Sequence, residues 1–311
     1  MTYLYPGQLR NNEPMSQHVS WRAGGVAERF YVPLNRQDLL EFVKGQNQSV
    51  FHVIGLGSNL LVRDGGLPET VIQTHGALKE IKVLTQDPEE LVIEVEAGVP
   101  APKVARSVAR LGYQGAEFMA GIPGTVGGAL AMNAGCYGRE TWNCVHSVLT
   151  MDEQGQFFER TVEDYEIGYR HVALKNSAKH TLTPRFHPTK EWFIAAKLKF
   201  INDPLLQGQK MIRELLARRV ATQPLGQPNA GSVFRNPSGG FAAQLIEKCG
   251  LKGLREGGAE VSHKHANFIV NTGNATAADI ENLIDRVQQR VREICGITLL
   301  PEVRIIGNKV G

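Results

Sequence analysis

The chain has 311 residues, and its 34 Lys and Arg against 31 Asp and Glu leave a formal charge of +3, too little to imply nucleic acid and compatible with an anionic small ligand. Its 42 % apolar and 21 % charged residues describe a globular protein of about two domains with a core that needs no staples. No stretch reaches the length of a membrane span, residues 1–13 lack the basic start and apolar run of a signal peptide, and Cys136, Cys144, Cys249 and Cys295 form no CxxC pair, which fits inert buried thiols in a reducing cytoplasm rather than a zinc site or a disulfide framework.

Short strands and helices alternate at first. Residues 30–33 read as a strand, Asn35 caps a helix through Asp38 that Gly45 stops, and residues 50–54 read as a second strand. Residues 60–62 resume extended structure before the Asp64-Gly65-Gly66 turn. Strands are expected at 81–84 and 91–95, and Pro102 opens a helix whose face is Val104, Val108 and Leu111. Residues 144–151, 156–161 and 192–200 read as antiparallel strands, and 175–190 as a surface loop. Helices follow at 209–220 (strongly basic) and 242–249, and Thr276 caps a third with the face Ile280, Leu283, Val287, Val291 and Ile294. Gly296 ends it, and 297–300 is expected as a closing strand.

The 33 glycines cluster. The first cluster, Gly55-Leu56-Gly57-Ser58-Asn59-Leu60, follows a strand but lacks the third glycine of a dinucleotide fingerprint, and the next residues look like a strand rather than a helix. It is therefore no Rossmann turn. Two readings stand: backbone N–H groups converging on an anion, or a tight turn needing positive φ. The second cluster runs Gly121-Ile122-Pro123-Gly124-Thr125-Val126-Gly127-Gly128-Ala129, then Met132-Asn133-Ala134-Gly135, with no lysine for a Walker A loop. So many positions without large side chains favour close approach of a ligand over a helix-packing seam.

These clusters resemble the two FAD-binding stretches of the MurB family. Gly168-Tyr169-Arg170 is similar to the family's tyrosine-arginine motif. Pro228-Asn229-Ala230-Gly231-Ser232-Val233-Phe234-Arg235-Asn236-Pro237 is similar to its catalytic-serine segment, and Pro301-Glu302-Val303 to its catalytic-glutamate segment. Gly257-Gly258-Ala259, Ser262 and His265-Ala266-Asn267-Phe268-Ile269 resemble a substrate-domain segment. The matches keep the family's order over nearly the whole chain.

The resemblance implies an α+β fold: a vanillyl-alcohol-oxidase-type (PCMH-like) FAD-binding module of two subdomains, 1–73 and 74–203, and an α+β substrate-binding domain, 204–311. It implies NADPH-driven reduction of the enolpyruvyl ether of UDP-N-acetylglucosamine to UDP-N-acetylmuramate, a cytoplasmic step of peptidoglycan synthesis by a monomer with no nucleic-acid or membrane partner. Arg170, Ser232 and Glu302 would be catalytic. Ile54, Gly55, Leu56, Gly57, Ser58, Asn59, Leu60, Gly121, Ile122, Pro123, Gly124, Thr125, Gly127, Gly128, Asn133 and Gly135 would bind FAD. Tyr169, Arg235, Asn236 and Asn267 would meet the nucleotide-sugar, and no metal is implied.

Without the resemblance each catalytic residue has an ordinary reading: Ser232 in an Asn-Ala-Gly turn, Glu302 solvated at a strand start, Arg170 paired with Glu163 or Glu166. Arg218 and Arg219 end the basic helix, where they are either diphosphate contacts or a solvated face. His263 and His265 have no spaced carboxylate or thiol to complete a metal site. Val172, Cys136 and Arg235 depart from the family's commoner serine, alanine and lysine. The short path from Phe200 to Gln209 places the chain with the compact members that lack an extra lid unit. A flavin-binding protein without catalysis would lack Ser232 or Glu302, and an oxidase of the same superfamily would offer a histidine within 55–60; the chain does neither.

Overall fold

The computed structural model describes residues 6–46, 50–175 and 191–311. The expected surface loop, apart from Lys175, lies outside the described residues. The fold is α+β. It divides into two compact units: Met1–Arg10, Phe30–Leu56 and Glu69–Arg218 form one, and Asn11–Arg29, Gly57–Pro68 and Arg219–Gly311 the other.

In the first unit a sheet runs in the order Phe157–Thr161, Val145–Asp152, Glu191–Asn202, Glu90–Glu96, Ile81–Gln86. Its central strand, Glu191–Asn202, pairs antiparallel on both sides, with Ala196 opposite Val148 and Val95. Buried on both faces, it carries the unbroken apolar run Trp192 to Ala196 rather than an alternation. The helix Ala101–Arg110 sets Val104, Ala105 and Val108 against Leu91 and Ile93, each such side chain contributing about 1.5–3 kcal/mol of burial. Leu111, expected on that face, is 37 % exposed: it follows the last turn as the C-cap.

A second cluster in this unit gathers around the helix Arg36–Lys44. Asn35 caps it, its Oδ1 accepting from Asp38 N at 3.0 Å, and Gly45 follows its last residue. Phe42 stacks on Tyr31 with ring centroids 3.7 Å apart. The strand Phe51–Ile54 lies parallel to residues 70–73, with Ile54 opposite Gln73.

The second unit is built on the helix Ala277–Cys295. Ile280, Leu283, Ile284, Val287 and Val291 pack against Trp21, Leu61, Val233, Phe234 and Val261. Ile294, expected on this face, is 51 % exposed; the last turn overruns the core, and Cys295 packs there instead. Segments 11–29 and 57–68, which the sequence division groups with the first FAD subdomain, contribute Trp21, Ala23 and Leu61 to this core. Trp21 is stitched in both directions: its Nε1 donates to Ile269 O at 2.8 Å, and Asn271 Nδ2 donates to its carbonyl at 2.8 Å.

Residues 297–300, expected as the closing strand, carry no strand. Their carbonyls are taken singly, Leu299 O by Gln288 Nε2 and Leu300 O by Arg235 N. The closing strand is Arg304–Ile306, parallel to Leu60–Val62. Among the described residues no helix is long and apolar enough to cross a membrane.

The helix Ala277–Cys295 starts with a capping box between Thr276 and Asp279 and stops at Gly296, left-handed at φ 70°. Asp64, 213 residues before it, adds a distant cap: its carboxylate accepts from Ala277 N at 2.9 Å and Ala278 N at 2.8 Å. A carboxylate at this end also meets the positive pole of the helix. Replacing Asp64 with Ala is expected to lower stability by about 1–2 kcal/mol, read as a lower urea midpoint at unchanged slope. An unchanged midpoint would show that the distant cap adds nothing to the box.

Candidate active site

In the first unit Gly55 of the first glycine cluster meets Thr125 of the second. A Cβ on Gly55 would collide with Thr125 Oγ1 and lie 3.0 Å from its Cγ2, so the Thr125 side chain sits against the Gly55 backbone at a distance only glycine permits. Thr125 is buried and caps the short helix Val126–Ala131, its Oγ1 accepting from Gly128 N at 3.4 Å. The helix's next donors are also engaged, Val126 N with Val99 O and Gly127 N with Ala97 O, both at 2.8 Å. Gly127 is required for that approach, since a Cβ there would sit 2.9 Å from Ala97 Cβ. Within the second cluster, then, the helix end itself is saturated.

The uncommitted donors lie elsewhere. Among the described residues, the backbone N–H groups of Gly55, Leu56, Gly57, Ser58 and Asn59 donate to nothing, and neither do those of Gly124 and Thr125. Gly124, Thr125 and Gly57 are buried. Buried N–H groups without partners are rare because each costs about 1–3 kcal/mol, so the first unit's share of them, at Gly55, Leu56, Gly124 and Thr125, suits acceptor atoms of a ligand. Gly57, at φ 60°, has a second reason to be glycine: a Cβ would strike His18 O. The turn reading of the first cluster therefore holds at Gly57, and the N–H groups around it are uncommitted among the described residues. Ile54, by contrast, is a buried strand end whose carbonyl accepts from Thr74 N at 2.9 Å, and Ile122 packs into the core. Leu60, at the other end of the cluster, is 2 % exposed, and Pro123 is exposed.

Tyr169 and Arg170 form the tip of a hairpin between Tyr165–Gly168 and His171–Leu174. Arg170 is left-handed at φ 54°, a conformation costing a residue with a Cβ about 1–2 kcal/mol. Its Nη1 and Nη2 donate to the carbonyls of Asn133 and Gly135, each at 3.3 Å, and its guanidinium lies 5.0 Å from the Tyr169 ring centroid. Asn133, 1 % exposed, holds this arrangement. Its Nδ2 donates to Glu140 at 2.7 Å and to Gly168 O at 3.1 Å, while its Oδ1 accepts from Trp142 N at 3.2 Å. Its amide is thus occupied in fixing the hairpin. Val172, where serine is commoner in the resembling family, is buried in the same core.

In the second unit the serine and glutamate segments lie side by side. Glu302 N donates to Val233 O at 2.7 Å, and Phe234 bridges Pro301. Ser232 is half-buried, and its hydroxyl has no partner among the described residues. The turn before it is tied by Gly231 N donating to Asn229 Oδ1 at 2.9 Å, and a Cβ on Gly231 would meet nothing within 4 Å. Asn267, 3 % exposed, reads the backbone of Phe234 both ways: Phe234 N donates to its Oδ1 at 3.0 Å, and its Nδ2 donates to Phe234 O at 2.8 Å. Asn59 performs the same service for Glu302, its Nδ2 donating to the Glu302 carbonyl at 3.1 Å. Asn236 is exposed and caps the helix Ala242–Lys248, accepting from Ala242 N at 3.1 Å.

Arg304 is a residue the sequence reading missed. Burial lowers its pKa, and the Arg235 guanidinium lowers it further. Arg235 Nε is itself buried without a partner. Two guanidiniums held against their own repulsion suit an anionic ligand. The only sequence signal is a basic residue two places after Glu302. Arg218 and Arg219 lie in the helix Gly208–Thr222, Arg218 exposed and Arg219 donating to Gln223 at 2.8 Å.

Comparison with known proteins agrees with this geometry. Residues 27–160 match the model of an FAD-binding domain, and residues 223–306 that of the C-terminal domain of UDP-N-acetylenolpyruvoylglucosamine reductase. The UDP-N-acetylenolpyruvoylglucosamine reductase of Thiobacillus denitrificans is 51 % identical over 97 % of this chain and 93 % of its own length, and that of Nitrosospira multiformis 53 % identical over 97 % and 89 %. The crystal structure of the MurB reductase from Thermus caldophilus superposes with a TM-score of 0.76 at 30 % identity, over 97 % of this chain and 99 % of the other. The expected α+β fold with an FAD-binding module is borne out.

Asn267→Ala would leave both backbone groups of the buried Phe234 without partners. We expect a loss of about 1–3 kcal/mol in stability, measured by chemical denaturation. No loss would mean that water replaces the amide.

Proposed function

Because the chain belongs to the MurB family of UDP-N-acetylenolpyruvoylglucosamine reductases, we propose that it reduces the enolpyruvyl ether of UDP-N-acetylglucosamine to UDP-N-acetylmuramate with NADPH, acting as a monomer in the cytoplasm. The observation that carries this reading is the set of uncommitted backbone donors at Gly55, Leu56, Gly124 and Thr125 in the first unit, where Gly55 meets Thr125. Segments 1–73 and 74–203 would form the flavin module and 204–311 the substrate-binding domain. Bound FAD would supply the hydride chemistry, taking a hydride from NADPH and passing it to C3 of the enolpyruvyl group.

The glycine clusters fit such a group by their chemistry: many N–H donors, no side chains in the way, and no carboxylate to repel a diphosphate. Residues 54–60, with Gly121, Ile122, Pro123, Gly124, Thr125, Gly127, Gly128 and Gly135, would hold it, and Asn133 would fix the backbone beside it. Arg235 and Asn236 would meet the nucleotide-sugar, and Tyr169 would line its path. Asn267 would serve by keeping the Ser232 segment in place.

Hydride addition to an enol ether needs the neighbouring carboxylate to take up electron density. Arg170 can bind that carboxylate through its planar fork and stays charged throughout. The carbonyls of Asn133 and Gly135 set the plane of the fork, and the strain at φ 54° is the cost of presenting it from a hairpin tip. Glu302 would assist at the same carboxylate when protonated or through water. Ser232 would give its proton to C2. A serine hydroxyl is a weak acid in water, so the role depends on placement, and a hydroxyl without a competing partner is available for it.

Two experiments test this reading. An anaerobic visible spectrum of the protein should show a flavin band that NADPH bleaches and that enolpyruvyl-UDP-N-acetylglucosamine restores. A bleached band that this substrate fails to restore would point to another acceptor. In stopped flow, Ser232→Ala should leave bleaching by NADPH nearly intact and slow the reoxidation step by on the order of 10²–10⁴. Equal slowing of both steps would remove Ser232 from the proton-donor role.

A further inference from the structure

We propose that Cys249 and Cys295 form a reversible disulfide site that ties together the C-terminal ends of the helices Ala242–Lys248 and Ala277–Cys295. The two Sγ atoms lie 3.5 Å apart in hydrogen-bond contact. A disulfide needs about 2.05 Å, so the sulfurs must approach by about 1.5 Å. The backbone has room for this. Cys249 is the C-cap of the first helix, Cys295 is the last residue of the second, and each is followed by a left-handed glycine, Gly250 at φ 67° and Gly296 at φ 70°. A Cβ at either glycine would meet nothing within 4 Å.

Both thiols are half-buried and within reach of a small reagent. The other cysteines are differently placed. Cys144 is buried, and it donates to Thr141 O at 3.1 Å. Cys136 packs under Gly121, its Sγ 2.7 Å from where a Cβ would stand. The pair is separated by 46 residues, so no spacing in the sequence announces it, and cross-linking closes a long loop of the unfolded chain.

The step is ordinary thiol–disulfide exchange with a small disulfide such as oxidised glutathione. One thiolate of the pair attacks a glutathione sulfur and expels one glutathione thiolate. The second cysteine then attacks the mixed disulfide, forms the Cys249–Cys295 bond and expels the other. Two protein thiols are oxidised, one small disulfide is reduced to two thiols, and the two protein protons go to those thiolates or to solvent. The bond would fasten one end of a helix whose other end Asn236 caps, four residues beyond Ser232.

The test uses the full chain, incubated with oxidised glutathione, alkylated and mapped by peptide mass. The expected result is a Cys249–Cys295 cross-link, a fall in free thiols from the four present in the sequence to two, and recovery with dithiothreitol. The thermal midpoint should rise by about 5 °C or more. Cys249→Ser and Cys295→Ser should each abolish the cross-link and the rise, leaving a glutathione adduct on the remaining partner. Glutathione adducts on the wild type without the cross-link, a cross-link that includes Cys136, or a cross-link with an unchanged midpoint would overturn the proposal.

Discussion

Close approach of the Thr125 side chain to the Gly55 backbone is the constraint on which the rest of the candidate site depends. It admits no side chain at position 55 and fixes Thr125 as the cap of the helix Val126–Ala131. Beside it, the N–H groups of Gly55, Leu56, Gly124 and Thr125 have no partner among the described residues. A fold tolerates such donors only where something else satisfies them. The helix after Thr125 does not compete for that role, because Ala97, Val99 and Thr125 itself already occupy its first-turn donors. The uncommitted donors lie in the loops rather than at a helix end, where a Rossmann turn would present them.

Both units hold their candidate site residues with the same device, an asparagine amide that reads backbone. Asn133 fixes the hairpin that presents Arg170, Asn267 fixes Phe234 beside Ser232, and Asn59 fixes the carbonyl of Glu302. An amide can donate and accept at once, so one side chain locks a strand segment in register and orientation. Buried and fully paired, Asn133 and Asn267 make the neighbouring backbone rigid. That rigidity sustains a strained arginine at φ 54° and keeps Arg235 close to Arg304 despite like charge.

Local signals in the sequence were reliable where the physics is local. Asn35 and Gly45 bound the first helix, and Thr276, Asp279 and Gly296 bound the last. The strands at 81–84, 91–95 and 192–200 lie within observed strands, because their apolar runs are long enough to be read without partners. Features set by distant contacts were not legible. Nothing near Pro301 shows that the closing strand begins only at Arg304, since its partner is Leu60–Val62. Nothing near Trp21 shows that it belongs to the core of the helix Ala277–Cys295. The glycine clusters were visible as candidates in the sequence. Their mutual contact, the occupation of Asn133 and Asn267 by backbone, and Arg304 beside Arg235 came only with the fold.

The most direct test of the central claim is FAD affinity in Gly55→Ala, Thr125→Ala and the double variant, followed by the absorbance of bound flavin. Inserting a methyl group against Thr125 should cost about 1–3 kcal/mol, roughly ten- to hundredfold in affinity. Removing the Thr125 side chain atoms should return most of that loss in the double variant. Gly55→Ala binding FAD as tightly as the wild type, or a double variant as weak as Gly55→Ala alone, would contradict the account that this contact shapes the flavin site.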